Sequence, residues 1–231
     1  MSVLVSEAVP CKFEAVLFDL DGTLIDSLPD IVRSVNVLRH ERGLGTITRG
    51  QVLKGVGRGA EFLLRACLPD YSPDDRGHRA LLTDVARYQQ AYSAGPSRSK
   101  AFAGVKKGLQ KFKKDNPYVK LGVVTNKPTR LAREALINCL PEVEFLEIRG
   151  PETVSHRKPH PAHVLETLRD LAVSPARAAL LGDDPIDVEV AAAAGIDFVG
   201  AGWGYGKLKP SAESSLQVFQ RFEDVICYLN Q

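Results

Sequence analysis

The sequence predicts an α/β fold in which a parallel sheet, covered by helices on both faces, is interrupted by an inserted and mainly helical domain. Two observations predict it. Short apolar runs alternate with helical patterns of about ten residues, and the stretch 28–98 breaks that alternation. With 231 residues, the chain is long enough for one large or two small domains.

Three short apolar runs are predicted to be buried strands, because each stops abruptly at a polar or glycine-containing turn. They are Phe13–Phe18, Val119–Val124 and Ala178–Leu181. The stretches 143–148 and 196–199 are weaker strand candidates.

Helical patterns follow these strands. Apolar residues recur at helical spacing in Thr129–Leu140 and Pro161–Leu171, and Ile186–Ala194 is rich in alanine. Gly195 then stands where a helix commonly ends. Strands that alternate with helices predict a parallel sheet with both faces covered.

The inserted domain is predicted from a stretch that contains helical patterns and no convincing strand. The helices expected there are Pro29–Arg42, Ala60–Cys67 and Asp74–Ala94. We therefore expect residues 1–27 and 99–231 to form the α/β core and residues 28–98 to form the insertion.

Composition excludes several classes of function. The formal net charge of +2 is too balanced to favour nucleic acid or an anionic membrane as a partner. The four cysteines lie far apart and match no zinc spacing. The sequence shows no signal peptide and no membrane-spanning run. We expect a cytoplasmic monomer or homodimer that acts on a small metabolite.

Each predicted strand ends in polar residues, and parallel strands bring such ends together in one crevice. The residues concerned are Asp19 and Asp21, then Thr125 and Asn126, then Asp183, Asp184 and Asp187. Clustered carboxylates repel one another unless a cation lies among them. Oxygen ligands of this kind suit Mg²⁺, which is the predicted cofactor.

This set fits phosphoryl transfer from a monoester, which needs a nucleophile, positive charge and a proton for the leaving group. Asp19 at the strand end can be the nucleophile, and Asp21 can move the proton. Lys158 lies in a loop before a helix and can supply a positive charge to the same crevice.

The chain resembles the phosphatase branch of the haloacid dehalogenase superfamily in four motifs that occur in that family's order. They are Phe18–Leu24, Val124–Asn126, Lys158–Pro159 and Gly182–Asp187. The resemblance implies a Rossmann-like core with an inserted helical cap. It also implies that Asp19, the backbone carbonyl of Asp21, and Asp183 bind the metal. Thr125, Asn126 and Lys158 would then bind the phosphate, with Asp184 and Asp187 supporting the metal loop.

Within that branch the chain is similar to phosphoglycolate phosphatases, on the cap loop 55–60, the loop 157–162 and the glycine-rich loop 202–206. Gly55, Gly57, Arg58 and Gly59 are expected to determine specificity. For Arg58 two interpretations stay open, a partner of a substrate carboxylate and a solvated surface arginine. Gly55–Ala60 also fits a dinucleotide motif in form, but the required preceding strand is missing. Trp203 and Tyr205 are expected to be packing residues.

The resulting hypothesis is a Mg²⁺-dependent phosphatase that hydrolyses a small monoester, 2-phosphoglycolate first, through an aspartyl-phosphate. A β-phosphoglucomutase-like sugar phosphomutase and a pyrophosphatase on the same core stay open as alternatives. A phosphate-responsive receiver module is the alternative from another class. A receiver, however, is shorter and carries its phosphoacceptor after the third strand. Carbon–halogen hydrolysis needs neither Asp21 nor Asp183.

Overall fold

The computed structural model describes residues 11–69, 71, 74–206, 208 and 216–231, with the side chain of residue 75 left out. Its centre is a sheet of six strands, all parallel, in the order β5-β4-β1-β6-β7-β8. The strands are β1 (Ala15–Phe18), β4 (Lys120–Val124), β5 (Glu147–Arg149), β6 (Ala178–Gly182), β7 (Asp197–Ala201) and β8 (Gln217–Phe219).

Helices cover both faces of this sheet, because the buried strands carry apolar side chains on both sides. Val16 and Phe18 belong to one apolar cluster and Ala15 and Leu17 to another, which is the two-residue alternation of a strand. The helices that follow the inserted segment are α5 (Val105–Asp115), α6 (Thr129–Cys139), α7 (Ala162–Asp170), α8 (Pro185–Ala194) and α9 (Phe222–Leu229).

The inserted segment is helical and has an apolar cluster of its own, which includes Leu28, Val35, Leu64 and Leu81. Its helices are α1 (Leu28–Glu41), α2 (Arg49–Leu53), α3 (Ala60–Cys67) and α4 (Asp75–Ser93). The short strands β2 (Ile25–Asp26) and β3 (Lys100–Ala101) pair antiparallel where the chain enters and leaves this segment. The predicted fold class is therefore confirmed. The boundaries at 27/28 and 98/99 stay predictions.

The register of the sheet brings the predicted polar clusters together. Phe18 at the end of β1 pairs with Val123 of β4 on one side and Leu181 of β6 on the other. The residues that follow these strands therefore emerge side by side at the carboxyl edge of the sheet. Within the described part of the chain, no helix has the length and apolar character needed to cross a membrane.

Candidate active site

The residue that follows β1 is Asp19, and its buried position is fixed by backbone pairing. The Asp19 N–H donates to the carbonyl of Leu181 at 2.9 Å, so the sheet ladder continues to the catalytic candidate itself. The Asp19 residue is 8% exposed. Burial raises the pKa of its carboxyl group well above the ordinary value, while the charge of Lys158 opposes that rise.

Three buried carboxylates form the centre of the site. Asp19, Asp183 and Asp187 each offer one oxygen, and these oxygens lie within 4.8 Å of one another. Burial, followed by the nearby charge of Asp187, raises the pKa of Asp183 to about 6. Such a grouping is electrostatically unfavourable without positive charge among the oxygens.

Lys158 supplies part of that charge. Its Nζ lies 2.7 Å from Asp19 Oδ1 and 2.7 Å from Asp187 Oδ1, with a side chain that is 1% exposed. These two anionic partners raise the pKa of Lys158 despite its burial, so the ammonium stays protonated. The backbone N–H of Lys158 donates to Nδ1 of the buried His163, which begins to explain how the lysine is held in place.

Asp183 is held by neutral donors. Its Oδ1 accepts from the Thr23 hydroxyl at 2.8 Å, and its Oδ2 accepts from the backbone N–H groups of Tyr205 at 2.6 Å and Gly206 at 3.0 Å. In the described ranges, no lysine or arginine forms an ion pair with Asp183. Its charge is therefore oriented by hydrogen bonds without being neutralised.

Tyr205 packs against the Phe102 ring, as predicted, and it also forms hydrogen bonds. Besides its backbone contact with Asp183, its hydroxyl donates to Asp26 Oδ1 and accepts from the Leu28 N–H at 3.0 Å. Trp203 does pack against Phe222, and its indole N–H also donates to the carbonyl of Thr23. The contact of the Tyr205 N–H with Asp183 could not be predicted from the sequence, because every non-proline residue carries a backbone N–H.

Close packing explains the glycine at position 22. Its φ is +100°, and a Cβ there would lie 2.5 Å from Asp183 Oδ2. Any larger residue would therefore both strain the backbone and displace the Asp183 carboxylate. The turn after β1 can approach Asp183 only with glycine at this position.

Asp21 faces a different part of the site. Its two carboxylate oxygens lie 3.0 and 3.2 Å from Lys127 Nζ, and Oδ1 also accepts from the Ser27 hydroxyl at 2.5 Å. Lys127 also lies over the ring of Tyr92, with Nζ 4.2 Å from the centroid. The sequence analysis missed Lys127, although it directly follows Thr125 and Asn126 at the same strand end.

Thr125 and Asn126 are buried at the end of β4. The Thr125 hydroxyl accepts from the Lys127 N–H at 3.2 Å. The Asn126 side-chain amide donates to the carbonyls of Gly57 and Lys158, at 3.0 and 3.1 Å. Asn126 thus joins the loop of the inserted segment to the loop of Lys158, and its predicted contact with phosphate stays a prediction.

Asp184 and Asp187 form the N-terminus of α8. The Asp184 side chain accepts from the Ile186 N–H at 3.0 Å, and Asp187 Oδ2 accepts from the Asp184 N–H at 3.2 Å, as in a capping box. One carboxylate oxygen of Asp187 therefore accepts a hydrogen bond at the start of α8, and the other accepts one from Lys158. Asp184 lies beside Gly57, where a Cβ would be 3.3 Å from its Oδ2.

The inserted segment covers these residues with glycines and apolar side chains. Gly55, Gly57 and Gly59 line the crevice together with Ile31, Val56 and Leu63. Arg58 is exposed, with its guanidinium carbon 5.0 Å from the centre of the Phe62 ring. Arg58 is not among the described residues that line the crevice.

The crevice has two compartments that share Asp19, Asp21, Val56 and Gly57. The β4-side compartment is also lined by Thr125, Lys127 and Tyr88. The β6-side compartment is also lined by Lys158, Asp183 and Asp187.

The donor set fits a hard divalent cation. Asp19, Asp183 and Asp187 supply only oxygen ligands, they converge within one small space, and Asp183 has no cationic partner in the described part of the chain. An ion bound among these oxygens would stabilise all three in their anionic forms.

The fold and this site define a phosphoryl-transfer hydrolase, and the comparison with protein families agrees. Residues 16–201 match the family of haloacid dehalogenase-like hydrolases, so the chain belongs to that family. It is a phosphoric monoester hydrolase, as predicted, and it is similar to proteins named phosphoglycolate phosphatase.

Individual relatives carry the likeness further. The chain is 35% identical to a phosphoglycolate phosphatase of Xanthomonas campestris pv. campestris over an alignment of 191 residues. That alignment covers 83% of this chain and 84% of the relative. It is 32% identical over 213 residues to a phosphoglycolate phosphatase of Rhodospirillum rubrum, which covers 90% and 88%. A predicted phosphoglycolate phosphatase from Haemophilus somnus 129PT has a similar structure, with a TM-score of 0.82 and 27% sequence identity. The superposition covers 94% of this chain and 98% of that one.

Proposed function

We propose that this phosphatase hydrolyses 2-phosphoglycolate with Mg²⁺, through a phosphoryl group carried on Asp19. The observation that carries the proposal is the position of Asp19, which lines both compartments of the crevice and lies beside Lys158 and the Asp183–Asp187 pair. The substrate is suggested by the relatives named phosphoglycolate phosphatase.

Asp19 and Asp183 are the side chains that would hold Mg²⁺, joined by the backbone carbonyl of Asp21 as the family resemblance implies, and Asp187 would support them from within 4.8 Å. When bound, Mg²⁺ would offset the negative charge on the phosphoryl oxygens as they approach these carboxylates. Lys158 adds a fixed positive charge next to Asp19, and Thr125 lines the opposite compartment with its hydroxyl.

In the first step a carboxylate oxygen of Asp19 forms a bond to phosphorus while the bond from phosphorus to the ester oxygen breaks. The leaving oxygen takes a proton from Asp21, which gives glycolate. Asp19 Oδ1 is engaged by Lys158 at 2.7 Å, so the lysine fixes the orientation in which the other oxygen attacks.

In the second step Asp21 takes a proton from a water molecule whose oxygen bonds to phosphorus, and the bond to Asp19 breaks. Inorganic phosphate leaves, and Asp19 returns to its carboxylate form. Asp21 lies two residues from Asp19, at the opening of both compartments, and so can serve the two proton transfers in turn.

Replacing Asp19 by Asn tests the proposal, because an amide of nearly the same shape cannot be the nucleophile. We expect D19N to lose Mg²⁺-dependent release of phosphate from 2-phosphoglycolate by about 10⁴-fold or more. The matched control is E14Q, which removes a carboxylate five residues earlier that forms only an exposed ion pair with Arg177.

E14Q should retain the activity of the unmodified enzyme. Full activity in D19N would overturn the role of Asp19. Transfer of the phosphoryl group to a second alcohol without release of phosphate would instead favour the mutase alternative.

A further inference from the structure

The β4-side compartment contains a buried cation that the proposed chemical steps do not use. Lys127 is 3% exposed in its side chain, lines this compartment, and lies 3.0 Å from Asp21 through its Nζ. Lys158 occupies the corresponding position on the other side, next to Asp19 and Asp187. Each buried lysine is therefore paired with one carboxylate of the first motif, Lys158 with Asp19 and Lys127 with Asp21.

This arrangement separates the two ends of a substrate. Phosphorus must lie next to Asp19, the neighbour of Lys158. The leaving oxygen must lie within about 2.6–3.2 Å of Asp21 to receive its proton. A group attached to that oxygen through one carbon atom would then lie beside Lys127 Nζ, which is in contact with the same Asp21 carboxylate.

The other residues that line the β4-side compartment indicate which kind of substrate group would fit beside Lys127. Its walls from the inserted segment are the apolar side chains of Ile31, Val56 and Leu63 and the ring of Tyr88. Lys127 is the one lysine or arginine among the described residues that line this compartment. An ammonium group has three donors. Two contacts of Lys127 Nζ are with Asp21, and the Tyr92 ring lies 4.2 Å from the same nitrogen. A ligand carboxylate would take the donor that is not directed at Asp21.

Arg58, the cation expected from the sequence, lies elsewhere. Its guanidinium carbon is over the Phe62 ring, the residue is exposed, and it lies outside the described lining of both compartments. The geometry therefore favours Lys127 over Arg58 as the group that meets an anion on the leaving-group side.

We propose that Lys127 is the specificity-determining residue of this enzyme and that it binds the carboxylate of a short phosphorylated carboxylic acid. The inference rests on the proposed function and deepens it, because it identifies the chemical class of the leaving group. A carboxylate at this position would make a charge-assisted hydrogen bond with the buried ammonium, which a neutral group of the same size does not make.

Two substrates that differ only at the recognised group test the proposal, namely 2-phosphoglycolate and 2-hydroxyethyl phosphate. The quantity to measure is the ratio of their kcat/KM values with Mg²⁺ present. Any effect of Lys127 on Asp21 acts on both substrates and cancels in this ratio. The unmodified enzyme should prefer the carboxylate, and the absence of any preference would by itself overturn the proposal.

In K127M we expect this ratio to fall by about 10- to 150-fold, the range for a hydrogen bond to a charged group. K54M, the same substitution at an exposed lysine that precedes Gly55, should keep the ratio of the unmodified enzyme. An equal loss on both substrates would show that Lys127 only positions Asp21. A larger fall of the ratio in R58M than in K127M would assign recognition to Arg58.

The two proposals fail in different ways. If 2-hydroxyethyl phosphate is hydrolysed by the unmodified enzyme and not by D19N, the phosphatase proposal stands whatever the ratio shows. If neither ester is hydrolysed by the unmodified enzyme, the proposed function itself is wrong.

Discussion

The floor and the roof of the crevice are built from different kinds of residue. The floor, at the carboxyl edge of the sheet, contains the carboxylates, the buried lysines and the donors that orient them. The roof, from the inserted segment, contains glycines and apolar side chains. Asp19 in the floor continues the strand ladder, because its N–H donates to the carbonyl of Leu181. In the proposed mechanism the reacting groups thus belong to the core, and the inserted segment shapes the space above them.

After the loss expected in D19N, the largest expected effect tests whether the floor alone holds the reacting groups. D183N removes a carboxylate of the central cluster and places an amide where Thr23 and the Tyr205 N–H now bind. We expect kcat/KM to fall by about 10³-fold, with a much higher Mg²⁺ concentration needed for half-maximal activity.

The adjacent D184N is the matched variant for this prediction. Asn is also a good N-cap, so the bond from the Ile186 N–H can persist. A loss within about tenfold is expected, and the Mg²⁺ dependence should not change. Equal losses in D183N and D184N would contradict the division of roles in this loop.

The second prediction concerns His163, which holds the Lys158 loop, and the pH dependence of the free energy of unfolding. His163 is buried, with Nδ1 accepting from the Lys158 N–H and Nε2 donating to the carbonyl of Arg149. Burial, followed by the charge of Lys158, lowers the pKa of His163 to about 4. The unfolded chain takes up this proton at about pH 6.5, so it binds more protons than the folded chain between these values.

The contribution of His163 to the free energy of unfolding should therefore be fully present above about pH 6.5 and fall by up to about 3 kcal/mol as the pH is lowered toward 4. Urea denaturation at several pH values measures it. H163N should be less stable at neutral pH and lose less stability on acidification, while the exposed-site variant H78N should behave like the unmodified chain. Parallel pH dependences for H163N and the unmodified chain would contradict this origin.

The smallest effect tests the roof. Gly57 has a φ of +97°, and a Cβ there would lie 3.3 Å from Asp184 Oδ2. We expect G57A to cost about 1–3 kcal/mol in local strain and to appear as a raised KM with kcat largely retained. G45A is the matched control, since a Cβ at Gly45 meets no atom within 4 Å. A loss confined to kcat in G57A would place this glycine in the chemical steps instead.

The difference between floor and roof also explains what could be predicted from the sequence. The predicted strand Val119–Val124 is found as Lys120–Val124, and the predicted helix Ala60–Cys67 has the same bounds in the structure. Both carry several apolar residues at a regular period. By contrast, β2 and β3 have two residues each, too few for any periodicity.

The site shows the same limit. Asp19, Asp183 and Asp187 could be grouped because acidic residues at the ends of parallel strands must meet. The sequence position of a residue does not give the orientation of its side chain, so the sequence suggested Arg58 as an anion-binding candidate and Lys127 was missed. The N–H groups of Tyr205 and Gly206 left no signal at all.

The account depends most on the claim that Asp19 carries the phosphoryl group, and rapid acid quenching of the enzyme during turnover tests it most directly. Digestion and mass spectrometry would then locate any covalent adduct. We predict one phosphoryl group on the peptide that contains Asp19, sensitive to hydroxylamine and missing in D19N. A phosphoryl group on another residue, or none while 2-phosphoglycolate is being hydrolysed, would contradict the account.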